Sequence, residues 1–208
     1  MPQNTADGLI DTGSYFTAND GVTGISTGAT PTSYSDTAPL FTLQNTNTKN
    51  NGKSIYLDWL RAYCTAAGTA GVDVRLKMEL DIIVPTGGTV LTPNNVNPND
   101  PYVSSGGVPR IMPTGIAATA NMRLIVGNQV VMPTQGVVFT VNSEFNVNFG
   151  TREGQGSPQW LTAQQGDRTF TSMPPIVIPP GWCLQVPFLM TSQSGASSWA
   201  IEIGYVEF

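Results

Sequence analysis

Five carboxylates stand singly along the chain: Asp58, Asp81, Glu144, Glu153 and Glu202. Two carboxylates facing each other can hydrolyse a glycosidic bond without help from histidine. Here each is isolated in sequence and most fall on the polar side of a strand-like run. Solvated carboxylates are therefore expected unless the fold brings two together. The chain contains no histidine at all. That removes Ser-His-Asp, Cys-His and His-metal schemes together. Cys64 and Cys183 lie far apart, inside apolar runs, with no base beside them in sequence. They read as free, reduced, buried thiols rather than as nucleophiles, a disulfide or a zinc pair. The run Asn94-Asn95-Val96-Asn97-Pro98-Asn99-Asp100 is rich in oxygen donors but lacks the calcium-loop pattern, so it reads as turn-forming. No phosphate-binding glycine loop is present; Gly154-Gln155-Gly156 is a loop segment. No cofactor or metal is expected, and a non-enzymatic protein follows.

The elements that must position these side chains are strands. From Val72 to Val84 apolar residues alternate without a break, Val72, Val74, Leu76, Met78, Leu80, Ile82 and Val84, against Asp73, Arg75, Lys77, Glu79, Asp81 and Ile83. Period two over this length predicts a long antiparallel strand with one buried and one charged, solvated face. Lys53–Cys64 also alternates but is apolar on both faces (Ile55, Leu57, Trp59 and Tyr56, Leu60, Tyr63). Met122–Val126 and Gln129–Val131 flank Gly127-Asn128, a hairpin signal. Phe145, Val147 and Phe149 alternate again, and Pro179-Pro180-Gly181 marks a turn before Trp182, Leu184, Val186 and Phe188. Pro187 within that run predicts an edge or a bulge. The chain closes on Trp199, Ile201, Ile203 and Tyr205, with a phase slip to Val206 and Phe208. Nine or ten strands without a helix predict an all-β, antiparallel β-sandwich, with a Greek-key jelly roll as the first choice.

Two regions lack a period. Residues 1–39 are rich in glycine and threonine yet carry Tyr15, Phe16, Ile25 and Tyr34. They predict an extended N-terminal arm that anchors those side chains on another subunit, preceding a sandwich domain over 40–208. Residues 85–120 are broken by prolines and predict a long loop, with Tyr102 and Arg110 as its contact residues. Trp160 sits in a glycine-rich loop and reads as an anchor or, less simply, a platform for a sugar ring.

Composition narrows the partners. Charged residues make up 11% of the chain and the net charge is -5, with lysines and arginines scattered singly. No basic stripe is available to neutralise phosphates, so direct nucleic-acid binding is not expected. No apolar run is long enough to span a bilayer as a helix, so no membrane partner is expected. The opening MPQNTADGLI has neither the basic nor the apolar region of a secretory signal.

Two stretches carry a resemblance. ATPTSYSDTAPLFTLQNT (residues 29–46) leads into GKSIYLDWLRAY (residues 52–63), and IVIPPGWCLQVPF (residues 176–188) brings a Pro-Pro-Gly-aromatic turn into a late strand. In this the chain resembles the jelly-roll cement or decoration proteins of tailed-bacteriophage heads. The resemblance implies a homotrimer on the virion surface, assembled in the host cytoplasm. It implies binding to the major capsid protein and to neighbouring copies. The alternatives are the receptor-binding head of a tail fibre or spike, and a carbohydrate-binding module.

Overall fold

A computed structural model describes residues 14–20, 25–26, 34–49, 52–66, 74–98, 104–114, 116–132, 144–149, 168–173, 175–190 and 198–208. Every regular element among them is a strand. In chain order these are β1 (Tyr15–Asn19), β2 (Ile25–Ser26), β3 (Phe41–Asn45), β4 (Ile55–Ala66), β5 (Val74–Asp81), β6 (Thr89–Val90), β7 (Asn94–Asn95), β8 (Gly107–Ile111), β9 (Arg123–Met132), β10 (Glu144–Phe149), β11 (Arg168–Met173), β12 (Ile176–Ile178), β13 (Cys183–Val186), β14 (Phe188–Met190) and β15 (Ser198–Glu207).

They form the predicted all-β sandwich. Sheet A runs β11-β10-β4-β15-β1-β7, with β12 beside β4 and β2 beside β15. Sheet B runs β5-β13-β3-β8-β6, with β9 on the far side of β5. β13 lies between β3 and β5, a crossing of Greek-key type. All described pairings are antiparallel except β10 with β11. The core between the sheets takes one side of each strand: Leu76, Met78 and Leu80 from β5, Phe41 and Leu43 from β3, Leu184 and Val186 from β13. Sheet A contributes Ile55, Leu57, Leu60, Ala62, Trp199, Ile201, Ile203 and Tyr205. Asn45 ties the sheets at one end, its amide donating to Lys53 O (2.8 Å) and Ile178 O (2.9 Å).

One turn expectation is met. Gly181 takes φ 78° and Trp182 N donates to Pro179 O at 3.0 Å, so Pro-Pro-Gly makes a turn that needs glycine at its third position. Pro187 splits β13 from β14, while its carbonyl still accepts from Lys77 N at 3.0 Å.

Other expectations are corrected. The described part of segment 1–39 is not a free arm: β1 is hydrogen-bonded between β15 and β7. Phe16 is 1% exposed and stacks on Tyr205, with ring centroids 5.8 Å apart. Five residues, with Phe16 and Ala18 inward, are too short a pattern to stand out among glycines and threonines. Residues 85–120 are not one long loop either. β8 pairs with β3 over five residues, β6 adds to it, and β7 crosses to sheet A. Pro109 hid β8, but its missing N–H is no loss where its carbonyl accepts from Leu91 N.

Gly127-Asn128 is not a hairpin turn, because β9 continues through it as one strand. The register against β5 jumps from Met78↔Val126 to Leu76↔Gln129, so the extra residue is taken up as a bulge. The alternation of β5 breaks at Asp81: Ile82 is 40% exposed and Ile83 is buried instead. Nor is the polar face of β5 solvated, since Glu79 and Asp81 are fully buried. Asp81 turns back to accept from Ile82 N, Thr119 N and Thr119 Oγ1. The irregularity expected near the end of β15 is present, between Gly204 and Tyr205, but its extra residue is not in β15. It lies opposite, where Trp59 pairs with Gly204 but Leu57 pairs with Tyr205, leaving Asp58 as the extra residue of β4.

Candidate functional site: the outer face of sheet A

The bulge at Asp58 decides which side chains reach the outer face of sheet A. Before it Ile55 and Leu57 point inward; after it Leu60, Ala62 and Cys64 do. Tyr56, Trp59, Arg61 and Tyr63 therefore share the outward side. Register places Gly204 beside Trp59, Glu202 beside Arg61, and Asn148, Asn146 and Glu144 beside Trp59, Arg61 and Tyr63 in turn.

Hydrogen bonds fix this face. Trp59 Nε1 donates to Tyr15 Oη at 2.9 Å, and Tyr15 Oη donates to Asp58 Oδ2 at 2.6 Å. The Trp59 indole lies against the Cα of Gly204, where a side chain would collide with it. Arg61 joins two carboxylates, Nη2 to Glu144 Oε2 at 2.8 Å and Nη1 to Glu202 Oε2 at 3.2 Å. Its guanidinium also sits 5.6 Å from the centre of the Tyr63 ring. The hydrogen bond to Glu144 is the main reason the Arg61 pKa is raised further. Asp20, just past β1, has its carboxyl pushed up to about 6, chiefly by burial, with Glu202 adding repulsion.

Of the five carboxylates read singly, the fold thus brings Glu144 and Glu202 onto one arginine, with Asp58 held by Tyr15 nearby. Sequence reasoning missed Arg61 as their bridge. The available signal was parity: Arg61 and Tyr63 share a strand side, but the bulge that aligns them with Trp59 left no mark in the pattern. Asp81 lies on sheet B, and Glu153 is outside the described residues.

The expected contact residues scatter. Tyr15 belongs to this face. Phe16 is core, and Ile25 pairs with Trp199. Tyr34 is half-buried on the other sheet, two residues before Asp36, which bonds Lys77 Nζ at 2.8 Å. Arg110 lies on the outer side of β8 and donates to Gly87 O at 3.2 Å. Tyr102 and Trp160 lie outside the described residues.

Two other polar groupings are structural in form. On the outer side of sheet B, Thr42, Gln185 and Glu79 stand side by side across three strands, fully buried. At one end of the sandwich Glu207 Oε1 accepts from Ser105 Oγ and from Gly107 N (3.1 Å), and Ser105 Oγ lies 2.7 Å from Tyr205 Oη. This network anchors the start of β8. The asparagine run closes a turn, Asn97 N donating to Asn95 Oδ1 at 2.9 Å. Cys64 and Cys183 are free and buried. Among the described residues no three of Cys, Asp and Glu gather as a metal site, and no helix is long and apolar enough to cross a membrane.

Comparison with protein-family models, curated proteins and solved structures finds no match.

Proposed function

We propose that this chain is a non-enzymatic structural protein of a virion surface. It is a cement or decoration protein that binds the major capsid protein and, as a homotrimer, neighbouring copies of itself. The observation that carries this reading is apolar surface where β5 ends and β9 begins. Ile82, Val84, Leu124 and Ile125 are 40%, 69%, 56% and 40% exposed. Among the described residues β9 has one hydrogen-bonded neighbour, β5, so exposed apolar side chains adjoin a strand edge. Such an edge pairs readily with another chain, and apolar patches of this kind mark interfaces. A ring of like subunits would cover the patch through one repeated contact. The preference for three-fold symmetry, and for a phage head as the partner, comes from the resemblance in residues 29–63 and 176–188.

Light scattering of the full chain tests the assembly. A mass near three times the 22.1 kDa chain is expected; a mass near one chain at micromolar concentration removes the trimer. Proteomics of purified virions tests the role, and absence from particles ends the cement reading. Turnover of a polysaccharide that disappears in Glu144→Gln would overturn the non-enzymatic part.

A second reading, the receptor-binding head of a fibre or a carbohydrate-binding module, is favoured by one observation: the aromatic face around Trp59.

A further inference from the structure

We propose that the outer face of sheet A binds a neutral glycan, with Trp59 and Tyr63 as stacking surfaces and Arg61, Glu144, Glu202 and Asn148 as the polar frame. The inference deepens the second reading and is independent of capsid attachment.

A sugar ring presents two unlike surfaces. Its C–H faces pack on aromatic rings, and its equatorial hydroxyls need planar groups that donate and accept in pairs. Both kinds of surface occur here, in register. Trp59 and Tyr63 lie on one side of β4, two pairs apart along the strand, and each is half-buried. Between them Arg61 offers guanidinium N–H groups, with its side chain 38% exposed, and Glu202, at 28%, offers carboxylate oxygen. Asn148 stands beside Trp59 on the neighbouring strand. Asn146, beside Arg61, has a side-chain oxygen that is covered and accepts no hydrogen bond.

The frame is held before any ligand arrives. Trp59 is pinned by Tyr15 and Gly204, and Arg61 by two carboxylates and the Tyr63 ring. Little side-chain freedom remains to be lost, which favours weak, polar ligands whose gross interaction energy is small. Such a frame also differs from the exposed apolar surface of β5 and β9, where the side chains are aliphatic and a protein neighbour fits better.

Charge selects the class of glycan. Glu144 and Glu202 flank one arginine, and Asp58 is held by Tyr15 beside Trp59, so carboxylates outnumber the cation on this face. A sulfated or sialylated sugar would meet net negative charge, whereas a neutral hexose chain would not.

The test uses the full chain titrated with maltohexaose, cellohexaose, mannohexaose and a sulfated hexasaccharide, followed by calorimetry and tryptophan fluorescence. At least one neutral hexasaccharide should bind in the micromolar to millimolar range and shift the fluorescence, and the sulfated one should not. Tyr63→Ala and Asn148→Ala should each weaken binding about tenfold or more while circular dichroism stays native. Trp59→Phe covers the case in which loss of the indole unfolds the chain, and should weaken binding by less. The proposal is overturned by no neutral hexasaccharide binding at 5–10 mM (roughly the weakest useful affinity on the millimolar scale). Preference for the sulfated probe overturns it too, as does unchanged affinity in both alanine variants. It also fails if Tyr63→Ala lowers the mass seen by light scattering, because the face is then an interface between copies. None of these outcomes bears on whether the chain is found on virions.

Discussion

Gly204 lies against the indole of Trp59: a Cβ placed on Gly204 would fall 2.2 Å from Trp59 Nε1 and 2.8 Å from Tyr15 Oη. The contact is backbone to ring, so relief requires the indole to leave its hydrogen bond. Gly204→Ala is expected to destabilise the protein by about 1–3 kcal/mol, the usual range for overpacking a fixed site. Denaturant titration measures the loss, and the emission maximum of Trp59 should shift with it. An unchanged midpoint and unchanged emission would show the indole to be mobile.

Removal of residues 1–20 tests the role of β1. An arm bound only to other subunits would leave the monomer's stability intact. Here the truncation uncovers one edge of β15 and removes Phe16 from the core. Burial of one phenylalanine is worth about 1.5–3 kcal/mol, and the Tyr15 bonds to Trp59 and Asp58 go with it. A fall in urea midpoint, or insolubility, is expected. A truncated chain with the full-length midpoint would restore the arm.

The raised pKa of Asp20 gives a pH dependence with a definite sign. Its carboxyl titrates near 6 in the folded chain against an ordinary value of 3.8. The folded state therefore holds the proton more tightly, and stability at this site is greatest below pH 4 and falls as pH rises through 6. Asp20→Asn should raise the melting temperature above pH 7, modestly because the side chain is only partly covered. It should give no gain at pH 4. Equal effects at both pH values would contradict the shift.

Both thiols should be inert in the folded protein. Burial pushes the Cys64 thiol up to about 11 and moves Cys183 upward as well, where Asp81 adds to the effect. At pH 8 on the order of one Cys64 in a thousand is thiolate, and thiolate is the reactive form. An aromatic disulfide reagent should therefore release its chromophore only after denaturant is added, two equivalents per chain. A fast first equivalent in buffer would refute this for that cysteine.

Much of the sandwich was legible in sequence because alternation in a half-buried strand is strict. Leu76, Met78 and Leu80 read correctly, as did Leu184 and Val186 and the run from Trp199 to Tyr205. The failures have physical causes. β8 contains Gly107 and Pro109 and follows Gly106, so it carries turn-like composition although its carbonyls pair normally. Gly127-Asn128 has the chemistry of a hairpin turn, but the pairing of β9 with β5 on both sides of it converts it into a bulge. The charged side of β5 looked solvated because period two cannot distinguish water from a covering segment such as the one carrying Asp36. The outer face of sheet A was half legible. Its aromatics stood out as surplus to one core, while the meeting of Glu144 and Glu202 on Arg61 depends on residues 83 and 141 positions from it in sequence and on a bulge at Asp58.

The position of β13 between β3 and β5, and of β15 between β4 and β1, bears on how the chain reaches its native state. Each sheet has as an interior member a strand from the last 26 residues, Cys183–Phe208. Neither sheet can be completed while those residues are still inside the ribosome. The earlier strands must wait with open edges and an uncovered apolar side. With most pairings remote in sequence, folding is then slow. Loss of only the final ten residues would remove the middle of sheet A, a far larger injury than their number implies.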